Sequence, residues 1–487
     1  MKREETRVST GIAGMDAILH GGFLNGFAYL VRGGPGTGKT TFGLHFLTAP
    51  QDRSETSLFI TLSEPAEKIE RVASAMGFDL SRVRMLDLSP GPDFFAKMES
   101  YDIFSPAEVE REPTTRRIID TVLEVNPRRV FIDSMTQFRY LSSDPYMFRK
   151  QSLSFIRFLV DRGATVLFSS ESSPEAPDED LQFLCDGIIH LDFSKNTRTV
   201  RVSKFRGSSF DQGLHEIEIT PSGMVVYPKL TPSLEGAAPV PELLSFGVPE
   251  LDELLHGGLD KSSVTLIVGP TGVGKSTLSM AFAKEAAGRG ERTYMYSFEE
   301  EPHRILQRCD AVNIPARAMV SRGTLAVEKV EPLRYSANAF AYKVLEDVEK
   351  AGTRIVIIDS VSGYRLCLRG SNLTEQLHAL TRSLTHRGVT VLVIEEVTEI
   401  TGEFRATKHG FSFLADNIVF IRYLEMMGRL KRAIGVLKKR TGSFEDTLRE
   451  IAITRYGLKV GRPLTECRGV LRGVPEIVPV GSSGEVS

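Results

Sequence analysis

The chain contains no tryptophan, and only 4 of its 487 residues are cysteine. Cys185, Cys309, Cys367 and Cys467 stand far apart and form no CxxC pair. That spacing excludes a disulfide scaffold and a cysteine-based zinc site and is the pattern of reduced thiols. An excess of one charge is missing too: 60 basic against 62 acidic residues leave a formal charge of −2. There is no global basic field to recruit nucleic acid or an anionic membrane. No apolar run reaches the ~18 residues of a membrane span. The opening MKREETRVST has no apolar segment of the secretory kind. The expectation is a cytoplasmic protein. With 41% hydrophobic and 25% charged residues, the disordered and fibrous classes are also out. At about 150 residues per domain, this length implies two or three domains.

The sequence does contain a long internal repeat. TGIAGMDAILHGGF (Thr10 to Phe23) recurs as FGVPELDELLHGGL (Phe246 to Leu259), and GGPGTGKT (Gly33 to Thr40) recurs as GPTGVGKS (Gly269 to Ser276). RVFIDS, ending at Ser134, returns as IVIIDS, ending at Ser360. GATVLFSSE (Gly163 to Glu171) returns as GVTVLVIEE (Gly388 to Glu396). VSKFRG at Val202 is echoed by VLKKRTG at Val436, and EIEIT at Glu216 by EIAIT at Glu450. Six features in one order define a duplicated domain rather than two domains sharing a loop. The boundaries expected are 1–232 and 245–465 for the two copies, 233–244 for a linker and 466–487 for a flexible tail.

Short β-branched runs alternate with helical patterns in each copy. Phe27 to Arg32, Ser57 to Leu62, Arg129 to Asp133 and Ala164 to Ser169 are continuously apolar, as are Val264 to Val268, Thr293 to Phe298, Arg354 to Asp359 and Thr390 to Ile394. Continuous rather than alternating apolar character predicts parallel strands covered by helices on both faces. Asn417 to Tyr423, Ala433 to Lys438 and Arg449 to Thr454 read as further, antiparallel strands. The fold class is α/β, in two tandem P-loop domains with mainly parallel sheets.

A loop that wraps an anion with backbone N–H groups needs glycines, which accept positive φ and leave room for phosphate. Gly33, Gly34, Gly36 and Gly38 supply them in the first copy; Gly269, Gly272 and Gly274 do so in the second. Lys39 and Lys275 are placed to reach the β- and γ-phosphates of ATP, and Thr40 and Ser276 to put a hydroxyl on Mg²⁺. Thr37, Thr41, Thr271, Val273 and Thr277 complete the two nucleotide loops. An amphipathic helix is expected after each (Thr41 to Thr48; Thr277 to Ala287). Asp133 and Asp359 each end an apolar run, where a buried strand offers its carboxylate to the metal shell. Hydrolysis needs a base near the γ-phosphate. The strand ends supply Glu299 and Glu300 in SFEEEP but only Glu64 in TLSEP, where Ser63 stands in place of Glu299. Glu299 also joins the second metal set. His20 and His256 of the HGG runs have no second ligand at chelating spacing and read as turn residues.

Together these residues resemble the KaiC family, the double-domain branch of the RecA-like ATPases, over the span from about Ser9 to about Val460. The resemblance implies a homohexamer of two stacked rings with ATP and Mg²⁺ held between neighbouring subunits. It further implies that Lys204 and Arg206, and Lys438 and Arg440, reach the neighbour's nucleotide, with Arg206 and Arg440 catalytic and Phe205 and Lys439 counted among the nucleotide-binding residues. Arg432 matches another phosphate-contacting position. A guanidinium supplied in trans stabilises charge on the γ-phosphate and makes hydrolysis depend on assembly. Founding clock members phosphorylate a Ser-Thr pair in their second domain. Here the matching stretch GFSFLADN keeps Ser412 as candidate phosphoacceptor but has Phe413 in place of the threonine. The resemblance thus implies an ATPase with single-site serine/threonine autokinase chemistry, a nucleotide-driven switch acting on regulatory protein partners. The alternative is a DNA-dependent motor of the RecA/RadA type. It draws on the basic-aromatic segments Phe138-Arg139-Tyr140, Phe148-Arg149-Lys150, Tyr364-Arg365 and Arg369, which could line a pore and stack bases. The charge balance disfavours it, and stimulation of ATPase by single-stranded DNA separates the two.

Overall fold

The computed structural model describes residues 6–50, 55–90, 106–139, 144–171, 177–194, 196–231, 242–368, 372–397, 413–465, 467–469 and 476–477, the side chains of 106–113, 467–468 and 476–477 excepted. The chain divides into two compact units, Met1–Lys229 and Leu230–Ser487.

In the first unit, nine strands form one sheet: β1 (Ala28–Arg32), β2 (Ser57–Thr61), β3 (Val83–Asp87), β4 (Arg129–Asp133), β5 (Thr165–Ser170), β6 (Gly187–Ser194), β7 (Thr197–Phe205), β8 (His215–Thr220) and β9 (Gly223–Tyr227). Their spatial order is β9-β8-β7-β6-β1-β5-β4-β2-β3. The six from β6 to β3 run parallel, and β7, β8 and β9 are added antiparallel. The second unit repeats this with β10 (Val264–Gly269), β11 (Thr293–Ser297), β12 (Leu325–Lys329), β13 (Ile355–Asp359), β14 (Thr390–Glu396), β15 (Asn417–Met426), β16 (Arg429–Lys439), β17 (Arg449–Thr454) and β18 (Gly457–Pro463). Its order is β12-β11-β13-β14-β10-β15-β16-β17-β18, again parallel from β12 to β15 and antiparallel beyond.

Continuous apolar strands are explained by a core on each face. Successive residues of a strand point to opposite faces. In β4, Phe131 joins one cluster while Val130 and Ile132 join the other. In β13, Ile355 and Ile357 face one cluster, Val356 and Ile358 the other. At about 1.5–3 kcal/mol per buried aliphatic side chain, two-faced burial makes these strands a large stabilising part of each unit. Strands β6 to β9 and β18 were not anticipated, nor were the weaker strands β3 and β12. Both β3 and β12 lie on the sheet edge with only part of their residues buried, so their apolar runs are short and broken.

One expectation is corrected here. The helices after the glycine loops, α1 (Lys39–Thr48) and α2 (Lys275–Gly288), are not amphipathic. Phe42, Gly43, Leu44, Phe46 and Leu47 are buried in α1, and nine residues are buried in α2, because these helices lie inside their units. Gly43 marks how closely α1 approaches the sheet: an added Cβ would lie 2.1 Å from the Phe131 ring. A Gly43→Ala substitution is therefore expected to destabilise the first unit by about 1–3 kcal/mol through overpacking, read as a lower denaturant midpoint.

Part of the span expected as linker, residues 233–241, lies outside the described residues, whereas Leu243–Leu244 pair antiparallel with Leu259–Asp260. Within the expected tail, Cys467–Arg468 pair with Glu476–Ile477. Among the described residues, no helix is long and apolar enough to cross a membrane.

Candidate functional site

Each glycine loop joins the central strand, β1 or β10, to the helix behind it. Gly36 and Gly38 have φ of 72° and 101°, and Gly272 and Gly274 have 74° and 112°, a left-handed backbone in which glycine is unstrained. An added Cβ would meet nothing within 4 Å at Gly34 or Gly36, so this side of the loop is open for an anion. At Gly33 it would lie 2.3 Å from the Leu191 carbonyl. The opposite side is closed by packing.

The Lys39 ammonium donates to the carbonyls of Gly33 (2.7 Å) and Gly34 (2.9 Å), and that of Lys275 to the Pro270 carbonyl (2.9 Å). Burial lowers the pKa of both lysines. Asp133 and Glu171 oppose this at Lys39; Glu396, Asp359 and Glu299 oppose it at Lys275. The hydroxyls of Thr40 and Ser276 donate to Asp133 and Asp359, each at 2.6 Å. Ser169 holds the other oxygen of Asp133 at 2.5 Å. Burial pushes the Asp359 carboxyl up to about 6; Glu299 adds to this, against the Ser276 bond, Lys275 and Arg308. Hydroxyl and carboxylate are the oxygen donors that Mg²⁺ takes, so both pairs fit that ion. Among the described residues, no group of three or more His, Cys, Asp or Glu side chains could hold a metal by itself. Thr37 is buried and donates to the Gly34 carbonyl (2.9 Å), Val273 is packed into the core, and Thr271 donates to Glu396. Thr277 is buried and Thr41 half-buried at the start of their helices.

The candidate bases separate by position. Glu299 accepts from Ser360 at 2.7 Å, one residue beyond Asp359, and so lies at the loop–strand junction. Glu300 is turned to Arg308 (2.6 Å) and Glu64 to Lys68 (2.8 Å). Thr61 donates to the Glu64 carbonyl and Ser297 to the Glu300 carbonyl, so Glu64 occupies the place of Glu300, and Ser63 that of Glu299. Sequence reasoning passed over Glu171 and Glu396, the strand-end carboxylates whose charge acts on Lys39 and Lys275. Their presence in both copies of the repeated strand motif was the available signal.

The Lys-x-Arg elements follow a β-bulge found at the same place in both units, between Ile188 and Ile189 and between Ile418 and Val419. A bulge shifts which residues face which side. Beyond it, Lys204 donates to the carbonyls of Gln182 (2.9 Å) and Cys185 (2.6 Å), and Lys438 to that of Ala415 (2.7 Å). Arg206 lies 3.5 Å from Asp186 and Arg440 lies 3.1 Å from Asp416; both arginines are exposed. Phe205 and Lys439 are engaged inside their own units: Phe205 stacks on Tyr29, and Lys439 donates to the carbonyls of Leu255 and Gly258. Arg432 lies over the Tyr423 ring at 5.6 Å. Its counterpart Arg198, which the motifs did not flag, covers Phe193 at 4.2 Å and donates to the Gly36 carbonyl (3.1 Å). Ser412 lies outside the described residues.

Two mainly parallel sheets, each with a glycine loop, a lysine whose pKa burial lowers and a helix-start hydroxyl bonded to a strand-end aspartate, define tandem RecA-like P-loop ATPase domains. The KaiC family model, an ATPase family, matches residues 8–231 and again 244–465. The chain belongs to the KaiC family. It is 26% identical over 505 residues to the circadian clock oscillator protein KaiC of Acaryochloris marina, a match covering 100% of this chain and 94% of that protein. It is 25% identical over 500 residues to the protein of the same name from Synechococcus elongatus (99% and 94% covered). To the circadian clock protein KaiC3 of Synechocystis sp. it is 25% identical over 485 residues (96% and 94%).

Proposed function

We propose that the chain works as a homohexameric Mg-ATPase in which each nucleotide is held by one subunit and completed by its neighbour, and in which the second unit carries the fuller catalytic set. What supports this most is Glu299, a carboxylate bonded to Ser360 beside Asp359, where the first unit has only Ser63.

In this reading the glycine loops bind the β- and γ-phosphates through their N–H groups, with Lys39 and Lys275 at their centres. Thr40 with Asp133, and Ser276 with Asp359 and Glu299, would hold Mg²⁺, which when bound neutralises charge on the β- and γ-oxygens. Glu299 takes a proton from water as the water oxygen bonds to the γ-phosphorus and the bond to the bridging oxygen breaks, releasing ADP and phosphate. Glu300, through Arg308, positions this strand end, and Glu64 does so in the first unit. Lys204, Arg206, Lys438, Arg440 and Arg432 meet the neighbour's phosphates, while Phe205 and Lys439 secure the strands that present them. Ser412 is the acceptor when the γ-phosphoryl goes to protein instead of water, and regulatory proteins read the resulting state. The DNA-motor alternative loses support because Tyr364 is fully buried and Arg139 is engaged on Phe148 and the Pro177 carbonyl.

Mass spectrometry after incubation with Mg·ATP tests the branch between water and protein. The expected result is one phosphate on Ser412, absent from the Lys275→Ala chain; free phosphate with an unmodified Ser412 would leave a plain ATPase.

A further inference from the structure

The HGG turns, which as sequence read only as turns, are built alike in the two units. His20 and His256 have φ of 55° and 47°. This left-handed backbone costs a side chain about 1–2 kcal/mol and is ordinarily left to glycine or asparagine. Glycine follows immediately in each case (Gly21, Gly257), so a histidine in both copies implies that the ring itself is used.

Each ring reaches the loop that follows a Lys-x-Arg element. His20 Nδ1 lies 3.1 Å from Ser209 Oγ and Nε2 lies 3.0 Å from Asp211. His256 Nδ1 lies 2.7 Å from Ser443 Oγ. Ser209 stands three residues after Arg206, and Ser443 three after Arg440. The surrounding bonds repeat as well. Asp211 N donates to the Ile18 carbonyl and Glu445 N to the Leu254 carbonyl, both at 2.9 Å. The turn carbonyls of Leu19 and Gly22 accept from Arg7, and those of Leu255 and Gly258 accept from Lys439. Different cations thus hold the same turn in place. On its other side each arginine is fixed to an aspartate of its own unit, Asp186 or Asp416, through both a backbone bond (2.9 Å) and the ion pair.

We propose that His20 and His256 are positioning residues, each bracing through a serine the loop that presents Arg206 or Arg440 to the neighbouring subunit's nucleotide. The serine hydroxyl links ring to loop, the turn is locked by Arg7 or Lys439, and the arginine is held between this brace and its aspartate. An exposed guanidinium on a long side chain loses much rotamer freedom when it meets a phosphate. Fixing the loop that carries it beforehand leaves only this side-chain cost, with no loop ordering added, to the reaction. The inference rests on the proposed action of the arginines in trans.

The test uses the full-length chain carrying Lys39→Ala, so that turnover reports the second unit. His256→Ala is expected to lower kcat about tenfold with KM for ATP unchanged. His256→Asn, whose amide can still bond Ser443, should recover most of the loss. The decisive measurement is a cycle with Arg440→Ala: the double variant should be no slower than Arg440→Ala alone, because a brace without its arginine has nothing to position. Full additivity of the two losses, or an unchanged kcat in His256→Ala, would overturn the proposal. If Arg440→Ala alone turned over at the full rate, the action in trans would fail, and this inference with it.

Discussion

Exchanging Glu299 for Gln is expected to slow turnover at the second cradle by about 10²- to 10⁴-fold while ATP is still retained there. The amide keeps the shape of the carboxylate and can still accept the Ser360 hydroxyl bond of 2.7 Å. It cannot take a proton from water. Lys275, the glycines and the Ser276–Asp359 pair are untouched, and the amide oxygen can still stand beside Mg²⁺, so binding should change little. Single-turnover hydrolysis and equilibrium nucleotide retention, measured together in a Lys39→Ala chain, separate the two effects. An unchanged hydrolysis rate would remove Glu299 as base and return attention to Glu396, the other glutamate whose charge acts on Lys275.

Arg440→Ala is expected to cost about 10³-fold or more in turnover, the scale of a guanidinium acting on transferring phosphate. Arg440→Lys should rescue poorly, since an ammonium lacks the planar two-pronged donor set. The more telling outcome comes from mixing variants. An Arg440→Ala protomer keeps an intact cradle and base; a Glu299→Gln protomer keeps an intact arginine. If the arginine serves a neighbour, mixed assemblies regain activity that neither variant has alone. If it serves its own cradle, mixing restores nothing, and a dilute monomer would hydrolyse ATP at the full rate.

Much of the sheet was legible in the sequence because two-faced burial writes itself as unbroken apolar runs. Arg129–Asp133 and Arg449–Thr454 coincide with their expected strands, and most of the others differ by a residue or two. The glycine loops were legible for a different reason: an anion-wrapping backbone constrains residue type position by position. The helices after those loops were misjudged because their burial on most sides depends on what is packed around them. The carboxylates divided in the same way. Asp133 and Asp359 stand at strand ends as their apolar runs indicated, whereas the rotation of Glu64 and Glu300 onto Lys68 and Arg308, away from Glu299's position, depends on side-chain partners four and eight residues further along the chain.

By itself, then, the sequence determined the duplication, the two phosphate loops and the strand-terminal aspartates, all of which rest on local chain chemistry repeated at fixed order. Tertiary structure alone decided where the Lys-x-Arg elements point, since a one-residue bulge re-aims them. It also decided that Arg198 reaches Gly36, and that each HGG histidine meets a serine nearly two hundred residues away in the chain. Those contacts exist only because the folding of each unit brings its first turn against one of its last loops, and no local pattern records that approach.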